Sequence, residues 1–135
     1  MKKLIIAFIV FIALAITPHM AFAESAEHYY KQGNYHVKLG NFEKAISDFT
    51  RAIEHDPKYT DAYYSRGLQY AVLGKHREAL SDYSKAIELD PKYTKAYIGR
   101  GGVYILFLKN KSAGCADLKQ ACDLGECKHY KYYCQ

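Results

Sequence analysis

The sequence predicts an all-α protein, a short α-solenoid of about three helix-turn-helix repeats with a small C-terminal cap. The main observation is internal repetition, because residues 56–67 (DPKYTDAYYSRG) return at residues 90–101 as DPKYTKAYIGRG, with nine of the twelve identical. The offset of 34 residues is typical of stacked helical units that bury their apolar faces against one another. Within each unit, apolar residues also recur every three or four positions, as in amphipathic helices. Together these features favour a protein that binds a partner over an enzyme.

Glycines and prolines mark the expected ends of the helices. Gly40 and Gly74 each follow a periodic segment and suit the left-handed conformation that ends many helices. Pro57 and Pro91 follow the next two segments, and proline disfavours helical geometry in the residue ahead of it. The predicted helices are residues 26–39, 42–55, 60–73, 76–89 and 94–108, in repeats that cover residues 26–59, 60–93 and 94–124.

The third repeat departs from the first two. It has no glycine after its first helix, so we expect residues 109–112 to make the turn. Terminal repeats of a solenoid are often atypical because they cap the stack. A one-residue insertion then aligns Gly114, Asp117, Leu118 and Ala121 with Ala79, Asp82, Tyr83 and Ala86.

Aromatic and small residues recur at fixed positions of the unit. Gly33, Gly67 and Gly101 share one position, and we expect a close approach of the paired helix there, near Ala45 or Ala79. This pattern resembles the tetratricopeptide repeat (TPR) family over about residues 26–124. The resemblance implies a right-handed solenoid whose first helices line a concave groove for a peptide or protein partner. Further matching positions are the aromatics Tyr29, Tyr63 and Tyr97, which are expected in the core, the pair Phe49 and Tyr83, and the pair Ala52 and Ala86.

The resemblance also implies which residues line the groove, at the second, fifth, ninth, twelfth and thirteenth positions of each repeat. Relatives that bind chaperone tails hold a terminal carboxylate with a lysine and an asparagine. Asn34 occupies the asparagine position, but Tyr30 replaces the lysine. Tyr30 and Tyr64 could instead pack between helices. The implied groove residues are Glu27, Tyr30, Asn34, Val37 and Lys38, then Asp61, Tyr64, Leu68, Ala71 and Val72, then Lys95, Ile98, Gly102, Ile105 and Leu106.

The first 23 residues resemble a cleaved secretory signal peptide. Lys2 and Lys3 precede the apolar residues 4–16, and Ala21-Phe22-Ala23 is a small-x-small cleavage site. Thirteen apolar residues are fewer than the roughly 20 that span a bilayer as a helix. We therefore expect a single mature domain, residues 24–135, in the periplasm or outside the cell. That domain carries 17 Lys and Arg against 14 Asp and Glu, a net charge of +3 that is too small and scattered to favour nucleic acid.

All four cysteines lie in the last 21 residues, with the spacing C-x6-C-x4-C-x6-C. Export favours disulfides. If a turn follows Leu124, an antiparallel helical hairpin brings together the nested pairs Cys115–Cys134 and Cys122–Cys127. Zinc sites usually bring ligands two to four residues apart, and redox or haem sites need C-x-x-C, so no metal and no cofactor is expected.

The sequence allows two interpretations of the repeat arginines and of the C-terminal tyrosines. Arg66 and Arg100 could be solvated or could pair with Asp82 or a similar acid. His129 is expected to be solvated. The C-terminal tyrosines either cover the last repeat or form a second contact patch, namely Tyr130, Tyr132 and Tyr133.

Three functional classes follow. The favoured one is an exported interaction module that binds a peptide or partner protein, with no enzymatic activity. A self-associating structural protein is the alternative, and concentration-dependent sedimentation separates the two. A metal-binding or redox protein is less favoured, and metal analysis tests it.

Overall fold

The computed structural model describes residues 25–135, so the predicted signal segment lies outside the described residues. Regular structure in this part of the chain is entirely α-helical, as predicted. No helix among these residues is long and apolar enough to cross a membrane. The helices are α1 (Ala26–Lys38), α2 (Phe42–His55), α3 (Thr60–Val72), α4 (His76–Leu89), α5 (Thr94–Leu106), α6 (Lys111–Asp123) and α7 (Lys128–Cys134).

Each helix packs mainly against the next one in sequence. The tightest pairs are α1 with α2, α3 with α4, and α5 with α6, which are the three repeats. Helix α2 then contacts α3, α4 contacts α5, and α6 contacts α7. Helix α3 also touches α5, so the first helices of neighbouring repeats lie side by side. The result is a stack of three helical hairpins with α7 as its cap.

The helix ends follow the sequence signals. Ser25 accepts a hydrogen bond from the backbone N–H of His28 and caps α1. Gly40 and Gly74 have φ values of 73° and 72°, in the left-handed region. Beyond α2 and α4 the chain turns identically, because Asp56 and Asp90 leave the helix in an extended conformation. Each aspartate accepts a hydrogen bond from the backbone two residues on, at 3.0 Å.

The turn after α5 differs from the prediction. Helix α5 ends at Leu106 rather than Leu108, and residues 107–110 rather than 109–112 connect it to α6. Lys109 has a φ of 54°, so it adopts the left-handed conformation that glycine provides in the first two repeats. Asn110 then caps α6 by accepting a hydrogen bond from the N–H of Ala113.

The core consists of alanines and Val103 with one large side chain in each repeat. Phe49, Tyr83 and Leu118 are the largest fully buried side chains, and they occupy the same position of the three repeats. Small residues allow neighbouring helices to approach closely around them. The buried alanines are Ala45, Ala52, Ala62, Ala79, Ala86, Ala96 and Ala121.

The glycines inside the first helices face these large side chains, which corrects the expected contact with Ala45 or Ala79. A Cβ atom on Gly33 would lie 2.5 Å from the ring of Phe49, and one on Gly67 would lie 3.0 Å from the ring of Tyr83. The ring lies close to the backbone of the first helix because no Cβ intervenes. Only Gly101 contacts the paired helix where the sequence predicted. A Cβ atom on Gly101 would lie 3.0 Å from the carbonyl oxygen of Gly114, which aligns with Ala79.

Tyr29, Tyr63 and Tyr97, which were expected in the core, lie at its margin, and Tyr63 packs against the central core cluster. All three are only partly buried. Each carries an arginine guanidinium over its ring, at 5.5 to 5.9 Å from the centroid. The fully buried positions beside them are filled by alanines and by the large side chain of the second helix.

Arg66 and Arg100 are paired rather than solvated. Arg66 donates two hydrogen bonds of 2.8 Å to Asp82 in its own repeat and one of 3.0 Å to Thr50 in the preceding repeat. Arg100 bonds Asp117 and Ser84 in the same way. Burial opposes the charge of Arg66, but the hydrogen bonds from Arg66 to Asp82 raise the pKa of the guanidinium. These two clamps fix each repeat to its predecessor.

Candidate functional site

The first helices present one continuous face whose residues lie a helical turn apart. Positions spaced by four residues share a side of a helix, so the fifth, ninth and thirteenth positions of each repeat lie together. We call the surface made by these positions on α1, α3 and α5 the first-helix groove. Its residues are Tyr30, Asn34 and Lys38, then Tyr64, Leu68 and Val72, then Ile98, Gly102 and Leu106.

In the first two repeats, tyrosines fill the floor of this groove. The ring of Tyr30 lies 5.6 Å from that of Phe49, and the ring of Tyr64 lies 5.9 Å from that of Tyr83. Both tyrosines are half-buried, and the hydroxyl of Tyr30 lies 3.4 Å from that of Ser65 on the neighbouring first helix. Of the two interpretations of Tyr64, packing between helices applies, since it packs on the central core cluster while its residue position still faces the groove.

A second pair of tyrosines closes the N-terminal edge of the groove. Tyr59 donates a hydrogen bond to Glu27, and Tyr93 donates one to Asp61. Burial first, and the carboxylate second, raise the pKa of both phenols above their ordinary value. The hydrogen bond from Tyr59 also lowers the pKa of Glu27, with a further contribution from Lys31. Glu27 and Asp61 thus tie the segments that follow α2 and α4, which we call the linkers, to the first helices.

The opposite half of the groove is apolar and exposed. Leu68 is 36% exposed, Val72 61% and Leu106 47%. Phe107 and Leu108 after it are also exposed, and the ring of Phe107 stacks on that of His76 in α4, with 4.2 Å between the centroids. Single exposed apolar residues are ordinary, but a contiguous set often marks an interaction surface. This surface suits an uncharged segment of a partner.

The remaining predicted groove residues lie at the margins of this face. Asn34 is half-buried, whereas Lys38 and Lys95 are exposed. At the positions corresponding to Tyr30 and Asn34, the third repeat has Ile98 and Gly102. No lysine stands at the fifth or ninth position of any of the three repeats, so the groove does not reproduce the lysine-asparagine clamp.

The third repeat contributes a cavity instead of a tyrosine floor. The cavity has a volume of about 190 Å³ and lies between α5 and α7. Ile98, Gly102 and Ile105 line it from α5, and His129 and Tyr133 line it from α7. His129 is half-buried, so the expectation that it is solvated was wrong. The feature that sequence reasoning missed is the cavity that this contact between the cap and the last repeat encloses.

The cysteines hold the cap in place. The sulfurs of Cys115 and Cys134 are bonded, as are those of Cys122 and Cys127, so the nested arrangement joins α6 to α7. Tyr133 of α7 therefore covers the last repeat, while Tyr132 is 79% exposed. Residues 25–135 contain no group of three His, Cys, Asp or Glu side chains that could hold a metal ion.

Comparison with known proteins agrees with the fold. A tetratricopeptide repeat family model matches residues 30–94. The chain is 31% identical to the second TPR domain of Spaghetti, which was solved with the HSP90 peptide SRMEEVD, and the match covers 75% of this chain and 93% of that one with a TM-score of 0.72. No curated protein matches the chain. The protein belongs to the tetratricopeptide repeat family, as the sequence pattern predicted.

Two further solved structures are similar at lower identity. The TPR domain of OM64 from Arabidopsis is 28% identical, with 82% of this chain and 91% of that chain covered and a TM-score of 0.76. The TPR2B domain of yeast Sti1, solved in a complex with pHsp70, is 27% identical, with 73% and 78% covered and a TM-score of 0.71.

Proposed function

We propose that this protein is an exported interaction module that holds an extended peptide segment of a partner protein along the first-helix groove. The observation that carries the proposal is the exposed apolar half of the groove, at Leu68, Val72 and Leu106. Similar TPR domains have been solved with an HSP90 peptide and with pHsp70, which supports a peptide as the ligand.

The chemistry of the groove favours an uncharged segment over an acidic chain terminus. Tyr30, Ile98 and Gly102 provide no positive charge at the floor, and Lys38, the only basic side chain among the first-helix groove residues, is exposed at the last turn of α1. Moving a carboxylate from water to an apolar surface without a partner is costly. The acids Glu27 and Asp61 already accept hydrogen bonds from tyrosines, so they offer little to a basic ligand.

A peptide selection tests this proposal. Residues 24–135 are used to select binders from a random dodecapeptide display library, and the affinity of the selected peptides is measured on two variants. Leu68→Glu places a charge in the groove, whereas Ser81→Glu places one on the exposed face of α4. We expect Leu68→Glu to weaken binding roughly tenfold or more and Ser81→Glu to leave it unchanged.

Both variants alter exposed side chains, so equal melting temperatures verify that they are folded. Selected peptides that bind Leu68→Glu as tightly as the wild type would place the contact elsewhere. Failure to select any peptide would argue against peptide binding itself.

Export is the second part of the proposal. The positively charged and apolar segment at residues 2–16, the cleavage site ending at Ala23 and the four cysteines joined in pairs all support it. The intact mass of the protein isolated from its host tests it. A chain that starts at Glu24 and contains no free thiol is expected, and a full-length chain with four thiols would contradict export.

A further inference from the structure

The cavity at the C-terminal end of the groove has the composition of a side-chain pocket. Four aliphatic side chains surround it, namely Ile98, Ile105, Leu106 and Leu118. The rings of His129 and Tyr133 complete the wall. The cavity is partly open and adjoins the first-helix groove, since Ile98, Gly102 and Leu106 belong to both.

Gly102 opens this cavity. A Cβ atom at Gly102 would meet no heavy atom within 4 Å. This glycine therefore differs from Gly33 and Gly67, where a large ring occupies the space. In the first two repeats the same position carries the side chains of Asn34 and Leu68. Only the third repeat of the groove has open space at its ninth position.

Helix α7 supplies the other wall and is covalently held. Cys134, next to Tyr133, is bonded to Cys115 of α6, with 5.7 Å between their Cα atoms. The alignment of the repeats continues into α7, because Tyr132 and Tyr133 follow Tyr97 and Ile98 by 35 residues, the period plus the one-residue insertion. Helix α7 thus stands where the first helix of a fourth repeat would begin, and it packs on α6 as α3 packs on α2.

We propose that this cavity is a specificity pocket that receives one phenylalanine-sized aromatic side chain from the segment bound in the groove. An engineered protein cavity of about 150 Å³ with an aliphatic and aromatic lining binds benzene, and this one measures about 190 Å³. The rings of His129 and Tyr133 can meet an aromatic ring edge to face, as aromatic pairs prefer. No lysine, arginine or carboxylate lines the cavity, so a charged side chain would lose its hydration without compensation.

The physiological ligand of the pocket rests on the proposed function, but its capacity for an aromatic ring does not. The first test therefore uses toluene, an analogue of the phenylalanine side chain, and follows the methyl resonances of Ile98 and Ile105 by NMR. We expect toluene to shift both in a saturable manner and to leave the methyl of Ile46 in α2 unmoved. Shifts that do not saturate, or equal shifts at Ile46, would overturn the pocket.

A variant at Gly102 provides the matched control. Gly102→Leu puts into the cavity the side chain that Leu68 carries in the second repeat, and it should keep the fold because the space is empty and leucine favours helix over glycine. We expect toluene to bind this variant roughly tenfold more weakly or worse. Gly102→Ala fills less of the cavity and should show an intermediate loss. Equal toluene affinity in all three proteins would place the ring elsewhere.

A cysteine variant tests the wall. In the double variant Cys115→Ser with Cys134→Ser, α7 is no longer tied to α6 at this end, so toluene affinity should fall while the helical circular dichroism of α1 to α5 remains. Unchanged affinity would show that the bond between Cys115 and Cys134 does not hold the wall of the pocket in place.

The peptides selected for the groove separate the two proposals. Peptides that lose affinity with Leu68→Glu but not with Gly102→Leu would sustain the groove and overturn its specificity pocket. Saturable toluene binding without any selected peptide would sustain the pocket and overturn the proposed function. If the groove and the pocket both bind as proposed, the selected peptides share an aromatic residue and compete with toluene.

Discussion

The first two repeats and the third use the same helical frame but fill it differently. In the first two, an aromatic core residue, a groove tyrosine and a linker tyrosine form a continuous stack, as in Tyr83, Tyr64 and Tyr93. In the third, Leu118 and Ile98 replace the first two members, and a cavity opens beside them. The arrangement of the helices is therefore kept in all three repeats, while the side chains that fill the groove differ.

The linkers show the same contrast. Tyr93 ties the chain after α4 to Asp61 by a hydrogen bond, whereas the bond between Cys122 and Cys127 ties the chain after α6. The arginine clamps, by contrast, occur at both junctions between repeats. The contacts between repeats are thus the same at both junctions. In the last repeat, however, disulfides and a cavity stand where the first two repeats have packed tyrosines.

The largest expected effect concerns the core aromatic residue of the second repeat. Tyr83→Ala removes a fully buried ring that contacts Gly67, Gly99 and Tyr64, and it should cost about 3–5 kcal/mol of the free energy of unfolding. Tyr132→Ala, in the 79% exposed part of the cap, should change it by less than about 0.5 kcal/mol. Urea unfolding measures both. Similar costs would mean that the tyrosine stack does not form the core.

A smaller effect is expected from the disulfides, and the two should differ. The bond between Cys115 and Cys134 spans 19 residues, which corresponds to roughly 3 kcal/mol by loop entropy. The bond between Cys122 and Cys127 spans only 5 and corresponds to roughly 2 kcal/mol. Paired serine variants, compared by thermal unfolding, measure this order. The reverse order would contradict the account of the cap.

The helical frame could be predicted from the sequence because its signals are local. Gly40, Gly74 and the Asp-Pro pairs set helix ends wherever the fold places them. The full burial of Tyr83 and the partial burial of Tyr63 could not be distinguished from the sequence, since both positions recur with the same period and only the distance between the helices decides which ring lies between them. The cavity was missed because it arises from an absent side chain at Gly102, although the contrast with Asn34 and Leu68 was already visible in the alignment of the repeats.

A further difference between the regions should appear at alkaline pH. Burial raises the pKa of Tyr83, and burial with a carboxylate raises the pKa of Tyr59 and Tyr93. These groups keep their protons in the folded state when the unfolded chain releases them, so stability is full below pH 10 and falls as the pH rises above it. Urea midpoints from pH 8 to 11 should therefore decline above pH 10, and less steeply in Tyr93→Phe. An identical decline in that variant would contradict the assignment.

The smallest expected effect lies in the turn of the third repeat. Lys109 holds a left-handed conformation that Gly40 and Gly74 adopt without strain. Lys109→Gly should raise the free energy of unfolding by up to about 1 kcal/mol. Gly74→Lys, the matched change in the second repeat, should lower it by a similar amount. A loss of stability in Lys109→Gly would show that the lysine side chain, whose Nζ donates to the carbonyl of Leu106, outweighs the strain.

The central claim is that the partner lies along the first helices, and site-specific photo-crosslinking in the native host tests it most directly. Benzoylphenylalanine is placed at Val72, which is 61% exposed in the groove, and in a second strain at the exposed Ser81 on α4. We expect a discrete crosslinked product from Val72 and none from Ser81. A product from Ser81 alone, or the same product from both positions, would contradict it.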